Sequence, residues 1–338
     1  MELAQSFTGK KVLVTGSTGF VGSHLTVRLL EQQNIVTLLA RSTSNNEQLK
    51  KFIQLGAKVI TGDLTNRESV FQAAQNQEYI FHVGALYREA KFPDQVYFDV
   101  NLEGTRHVFD AAKEHSIKRV IHTSTTGVHS HIENPPADES YPYHPTDVYQ
   151  ISKTEAEKLA KERIAGGQDI TVLRPAMIWG QGDRRILKLF RGIYQRKLPI
   201  IGTGKSWTHW IYVQDLVTSY LLAALTPQAK GQIYLIAGND PLPLDQVYQA
   251  ISRVSGVPLL PYRIPAFPIQ LVGSCVELLC RPFGIEPPIH RRRVDFFVKN
   301  RAFNTSKART ELGFKSTHSF EEEVQIIFNW YKNQQWLT

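Results

Sequence analysis

Tyr149 and Lys153 stand four residues apart in Tyr-Gln-Ile-Ser-Lys. On a helix, positions i and i+4 share one face, so a phenol and an ammonium can meet at one place. A phenol titrates near ~10 and is a poor proton-transfer group at neutral pH. A neighbouring cation favours the phenolate and brings it toward the range of a working general acid or base. The pair suits proton exchange at an oxygen-bearing carbon that gains or loses hydride.

Gly16, Gly19 and Gly22 punctuate Gly-Ser-Thr-Gly-Phe-Val-Gly directly after the apolar run Val12, Leu13, Val14, and an amphipathic stretch over about 21–32 follows. Strand, tight turn and helix in that order let the backbone approach a pyrophosphate at the helix N-terminus. At the end of the next strand an acid would bind a ribose 2′-hydroxyl. The chain has Arg41 there, in Leu-Ala-Arg-Ser-Thr, which suits a 2′-phosphate, so NADP is expected over NAD. Asp63 follows a third strand and is placed either to accept from an adenine amino group or to cap the turn at Leu64-Thr65.

The elements needed to hold these groups are visible as short apolar runs at 35–39, 58–61, 79–83, 119–123 and 170–173, alternating with helical patterns. Such alternation predicts a parallel sheet covered on both faces. Beyond Arg174-Pro175 the pattern changes: a Gly180–Asp183 turn, a basic helix over 184–196, and dense proline between Pro258 and Pro288. The expected organisation is a dinucleotide-binding domain over 1–175 and a substrate-binding lobe over 176–338, with about 211–237 packing back on the first.

The 338 residues carry 39 Lys and Arg against 31 Asp and Glu, a net charge of +8. That balance suits phosphorylated small molecules, and no aromatic-basic motif points to nucleic acid. Cys275 and Cys280 offer neither a disulfide framework nor a zinc cluster, and the histidines lack metal-ligand spacing, so no metal is expected. The start of the chain does not read as a signal peptide, and the most apolar stretch, 265–280, is interrupted by Gln270 and Glu277 and falls short of the ~20 residues that span a bilayer. A cytoplasmic protein without an integral membrane segment is expected, acting on a small molecule, with a homodimer left open.

Thr15-Gly16-x-x-Gly19-Phe-Val-Gly22, Gly62-Asp63-Leu64, His82-Val-Gly84-Ala85, Asn101-Leu-Glu-Gly104-Thr105, Thr123-Ser124-Thr125, Tyr149-x-x-x-Lys153 and Arg174-Pro175 occur in the order seen in extended short-chain dehydrogenases/reductases, which the chain resembles over nearly its whole length. The resemblance implies an α/β, Rossmann-type doubly wound parallel sheet with a smaller C-terminal substrate-binding lobe. It makes Tyr149 the acid/base and Lys153 the group that lowers its pKa and holds the nicotinamide ribose. Thr125 would hydrogen-bond the substrate oxygen beside Ser124, and Asn101 would support the proton relay or the adjacent helix. Cofactor contacts are implied for Gly16, Thr18, Gly19, Phe20, Val21 and Gly22, for Arg41, Asp63 and Leu64, and for Gly84, Pro175 and Ile178 with Tyr149 and Lys153.

Two departures bear on substrate. Where nucleotide-sugar enzymes of the family carry a diphosphate-binding arginine, this chain has Thr208 within Trp207-Thr-His-Trp210, so the two tryptophans are expected to form an apolar substrate wall. His129-Ser130 replaces a frequent Tyr-Gly, which makes His129 a candidate to face the substrate. Arg184 and Arg185 with Arg291, Arg292 and Arg293 form either a replacement phosphate clamp or a solvated face, and 264–289 is expected to be a helix and lid, with membrane-surface attachment as the second reading. A late likeness to 3β-hydroxysteroid dehydrogenases and dihydroflavonol reductases puts hydride transfer at a secondary alcohol or ketone of a partly apolar substrate first. A nucleotide-sugar epimerase or dehydratase is the alternative. A non-catalytic NADP-binding protein is a minor third, opposed by the intact Thr125, Tyr149 and Lys153.

Overall fold

The computed structural model describes residues 6–87, 92–238, 240–269, 271, 276 and 291–337, the last segment without the side chains of Arg291, Arg292 and Arg293. Cys275 and Cys280, most of the expected lid and those three arginine side chains therefore lie outside the described residues.

Seven strands form one parallel sheet: β1 (Lys11–Thr15), β2 (Ile35–Ala40), β3 (Lys58–Thr61), β4 (Tyr79–His82), β5 (Arg119–Thr123), β6 (Ile170–Pro175) and β11 (Ile233–Ile236), in the order β11-β6-β5-β4-β1-β2-β3. Alternate side chains feed two cores. Val12, Val14, Phe81 and Ile121 face one, with Leu25 and Leu29 of α1 (Phe20–Glu31). Leu13, Ile80, Val120 and Val172 face the other, with helices α3 (Arg67–Ala74), α5 (Gly104–Glu114) and α6 (Val148–Ala165). Both faces are buried, which is why the strands read as continuous apolar runs. The order reverses between β1 and β4, and open sheets of this kind bind ligands at the carboxyl ends of the strands flanking such a switch. Two further helices, α2 (Asn46–Gln54) and the short α4 (Asp94–Phe98), occupy connections on the way.

A third core gathers α7 (Leu187–Tyr194), α9 (Leu244–Ser255) and the C-terminal α12 (Phe320–Asn333) around Trp179 and Trp210. It includes a two-stranded parallel pairing of β7 (Met177–Trp179) with β10 (Trp210–Tyr212), between which lie the short β8 (Ile200–Ile201) and β9 (Trp207–Thr208). The basic helix is shorter than its sequence pattern, and Arg184 and Arg185 fall in the turn before it. Between β10 and β11 the chain returns to the large sheet as α8 (Val213–Leu225), whose Leu216, Val217 and Tyr220 enter the first core. Phe303, Ala308, Leu312 and Phe314 join the same core, so the returning segments extend beyond 211–237. No helix among the described residues is long and apolar enough to cross a membrane.

Candidate active site

A cavity of about 670 Å³ opens at the carboxyl ends of the strands. Its phosphate end is the turn between β1 and α1. Gly16 has φ +72°, and a Cβ there would sit 2.6 Å from Gly84 Cα; a Cβ on Gly22 would sit 2.1 Å from the Gly16 carbonyl oxygen. Only glycine permits this close approach. Gly19, at the N-cap of α1, supplies no side-chain hydrogen bond, so amides of the first turn are left for an anion, and the cradle fits a pyrophosphate. Thr18, Phe20 and Val21 line the same end.

Farther along, Arg41 lies exposed on the cavity wall near Ser44, and Asp63 and Leu64 follow β3. The Asp63 carboxylate already accepts from the Thr65 amide and hydroxyl, at 2.9 and 2.8 Å through Oδ1, so it serves the local turn with one oxygen. Gly84, Pro175 and Ile178 line the other end, together with Tyr149, Lys153 and Thr125. The expected cofactor residues are thus brought to one cavity.

Tyr149 and Lys153 are set by α6, which Asp147 caps through the Gln150 amide. Lys153 is buried, its Nζ donating to the Thr123 carbonyl at 2.6 Å, which ties the ammonium to the end of β5. Burial pushes its pKa down to about 8, against the opposing pull of Glu157. The Tyr149 ring meets Tyr87 edge-on at 5.0 Å. Thr125 Oγ1 accepts from the Gly127 amide at 2.9 Å, which fixes the hydroxyl oxygen while its proton stays available to a substrate. Asn101, in a π-helical turn, bridges Leu86 and Ser152 through both ends of its amide, pinning the loop after β4 to α6.

Beneath this layer is a network the sequence reading did not identify. Glu157 is fully buried and accepts from Arg174, Ser124 and Tyr143. Burial alone would push this carboxylic acid up; Arg174 first, then Ser124 and Tyr143, hold it below the usual carboxylate range. Ser124 thus faces inward to support Thr125's neighbourhood. Tyr149, Lys153 and Glu157 continue one i, i+4, i+8 face, the spacing that could have revealed the acid. His82 and His122 lie 5.2 Å apart under Lys153; burial first, then that ammonium, depress both, His82 to about 3, so they are neutral.

Three expected substrate residues are not at the cavity. His129 is fully buried, its Nδ1 donating to the Pro142 carbonyl and its Nε2 accepting from Arg174 Nη1, because the β5 loop turns it inward under Tyr143. Trp210 is buried against Trp179 at 4.8 Å and donates to the Thr208 hydroxyl. Trp207 is exposed and does not line the cavity, and its amide donates to Asn300 Oδ1. The apolar side of the cavity is made instead by Tyr87, Met177, Ile186 and Phe296. Arg185 and Arg301 line it too. Among the described residues no cluster of His, Cys, Asp or Glu could hold a metal ion.

The sequence profile of the NAD dependent epimerase/dehydratase family matches residues 12–237. The chain is similar to a 2-alkyl-3-oxoalkanoate reductase of Stenotrophomonas maltophilia, 28% identical over 94% of this chain and 98% of the relative. A decarboxylating sterol-4-alpha-carboxylate 3-dehydrogenase of Schizosaccharomyces pombe is 27% identical over 94% and 96%. Among solved structures, a UDP-glucose 4-epimerase of Thermotoga maritima shares the fold with a TM-score of 0.76 at 20% identity, covering 96% of this chain and 99% of that one. With the glycine cradle and the Tyr149–Lys153 face in place, the chain belongs to the NAD dependent epimerase/dehydratase family and is an NAD(P)-dependent enzyme of the extended short-chain dehydrogenase/reductase type.

Proposed function

We propose that the protein moves hydride at a secondary alcohol or ketone of a largely apolar molecule, with NADP preferred over NAD. The observation that carries this is the meeting of Thr125, Tyr149 and Lys153 with the glycine cradle in one cavity that Tyr87, Met177, Ile186 and Phe296 also line. The nicotinamide, when bound, supplies or accepts the hydride. Tyr149 gives the oxygen its proton on reduction and removes it on oxidation. The Lys153 ammonium favours the phenolate and would hold the nicotinamide ribose. Thr125 donates to the substrate oxygen and orients it, and desolvation in the cavity strengthens both contacts. Arg41, with no ion pair among the described residues, supports a 2′-phosphate contact.

Thr208 favours this reading over a nucleotide-sugar epimerase. Its buried hydroxyl is used between the Leu242 carbonyl and the Trp210 indole, leaving nothing at that position for a diphosphate. The relatives named for 3-oxoalkanoates and sterol-4-carboxylates act on molecules that carry a carboxylate beside the reacting carbon, and we extend that class to this chain. Tyr149→Phe tests the chemistry: single-turnover hydride transfer should fall by about 10²-fold or more with NADPH affinity retained. A near-normal rate would remove Tyr149 from the mechanism, and tight, salt-sensitive UDP binding would favour the epimerase instead.

A further inference from the structure

Arg185 is, like Arg301, a charged residue lining the cavity that the chemistry above leaves without a task, and its guanidinium is the one whose setting is fully defined. Its guanidinium is held from behind: Nε and Nη2 donate to the two oxygens of Asp183 at 2.9 Å each, and Nη2 also reaches the Ile178 carbonyl at 3.1 Å. Asp183 is itself buried, its amide bonded to the Gly180 carbonyl and its carbonyl accepting from Tyr331. The fork is therefore fixed by a rigid turn. Nη1 has no hydrogen-bond partner among the described residues, and 41% of the side-chain surface is accessible.

Its position relates it to the reacting carbon. The guanidinium carbon lies 5.6 Å from the Tyr87 ring centroid, and that ring abuts Tyr149. On its other side it lies 5.3 Å from Phe20, the first residue of α1. A ketone presented to Tyr149 would thus carry a substituent on its neighbouring carbon toward Arg185, while an alkyl part runs along Met177, Ile186 and Phe296.

We propose that Arg185 is the anion anchor of the substrate, its Nη1 edge binding a carboxylate borne on the carbon next to the reacting one. This rests on the reading of the cavity as a ketone or secondary-alcohol site. Asp183 cancels much of the guanidinium charge, so recognition comes from directed donors on a preorganised fork rather than from long-range attraction. The expected preference is accordingly about 10-fold or somewhat more, the range of one charge-assisted contact partly open to water.

The test uses 3-hydroxyoctanoate and its uncharged amide. Calorimetry on the NADPH complex, in which no hydride can move to nicotinamide, should show the acid binding about 10-fold or more tighter than the amide. Arg185→Gln should abolish that preference by weakening the acid alone, with amide and NADPH affinities unchanged. Because this variant leaves buried Asp183 without its cation, Asp183→Asn/Arg185→Gln is measured in parallel and should lose the preference equally. Equal binding of acid and amide by the unmodified protein, or no binding of either, overturns the anchor. So does an Arg185→Gln loss shared by both ligands and NADPH, which would assign the guanidinium to the pyrophosphate or to holding the turn.

Turnover with NADP⁺ in the same samples separates the two levels. Oxidation converts the alcohol to the ketone as the cofactor is reduced and one proton is released; in the variant the acid's KM should rise with kcat kept. Oxidation of both ligands at equal kcat/KM removes the anchor and leaves the redox reading. Acid-selective binding without hydride transfer from either ligand removes the redox reading and leaves the anchor.

Discussion

Glu157→Gln is the sharpest perturbation of the layer beneath the proton-transfer pair. The carboxylate accepts from Arg174 Nε at 3.1 Å to each oxygen, from Arg174 Nη2 at 2.6 Å, and from Ser124 and Tyr143. An amide keeps one acceptor oxygen, turns the other position into a donor facing donors, and leaves the guanidinium of Arg174, 1% exposed, without a counterion. Breaking a buried pair in this way costs about 3–5 kcal/mol. With an unfolding entropy of roughly 2.1 cal/mol/K per residue, about 0.7 kcal/mol/K for the chain, Tm should fall by about 4–7 °C. The double variant Glu157→Gln/Arg174→Met should be less damaged than the sum of the single ones, since no unpaired charge remains.

The same substitution reaches the active site. Burial lowers Lys153 to about 8 and Glu157 is what opposes that, so its neutralisation should drop Lys153 further. If Lys153 holds the ribose as an ammonium, as proposed, cofactor affinity should decline as pH rises through about 8 in the unmodified protein, and at a lower pH in Glu157→Gln. Thermal unfolding at neutral pH and NADPH calorimetry across the neutral to alkaline range read the two effects separately. An unchanged Tm together with an unchanged alkaline limb would refute both the energetic weight given to the network and its electrostatic link to Lys153.

Two further substitutions test other parts of the structure. Arg41→Asp should weaken NADP binding by at least ~1.5 kcal/mol, as a charge-assisted contact becomes a repulsion, with NAD affected less; unchanged NADP affinity by calorimetry would dismiss Arg41 as the 2′-phosphate ligand. Glu323 is buried, with Oε2 accepting from Trp179 at 2.7 Å and Oε1 without a hydrogen-bond partner among the described residues; burial, then the nearby Asp215, raises its pKa to about 8 although Trp179 opposes. The folded state therefore holds this proton where the unfolded state, at 4.5, has released it. Its contribution is fully present below about 4.5 and lost as pH rises through about 8. Glu323→Gln should flatten that dependence at ~1.4 kcal/mol per pH unit, gaining stability over the parent between pH 5 and 8; parallel Tm profiles would contradict it.

The sheet was legible because strands buried on both faces write unbroken apolar runs, and the glycines and Tyr149 with Lys153 because close approach and shared helical faces demand fixed spacings. Side-chain direction was not. Trp207 and Trp210, three apart across two short strands, do not share a face, and Trp210 turns into the third core. His129 was expected to face the substrate but serves Arg174, a partner 45 residues away that no local pattern reveals. Arg185 was visible only as one of several arginines; a turn built on a buried aspartate, not the basic pattern itself, aims it at the cavity.

The late return of α8 and β11 sets an order of events during synthesis. By the time Lys153 leaves the ribosome, the residues of the phosphate cradle and the proton-transfer pair have all been made. Yet the face of β5 that α8 covers is still bare, and Thr123, at the end of β5, lacks the Tyr220 hydroxyl it meets at 2.7 Å. β6 remains an open edge until β11 arrives, some sixty residues and most of the Trp179–Trp210 pairing later. Contacts of such sequence separation form slowly and leave apolar surface in reach of other chains meanwhile. The nascent protein thus passes through an interval in which its nucleotide-binding half is fully spelled out but not yet able to hold its shape, and shielding by chaperones has most to contribute there.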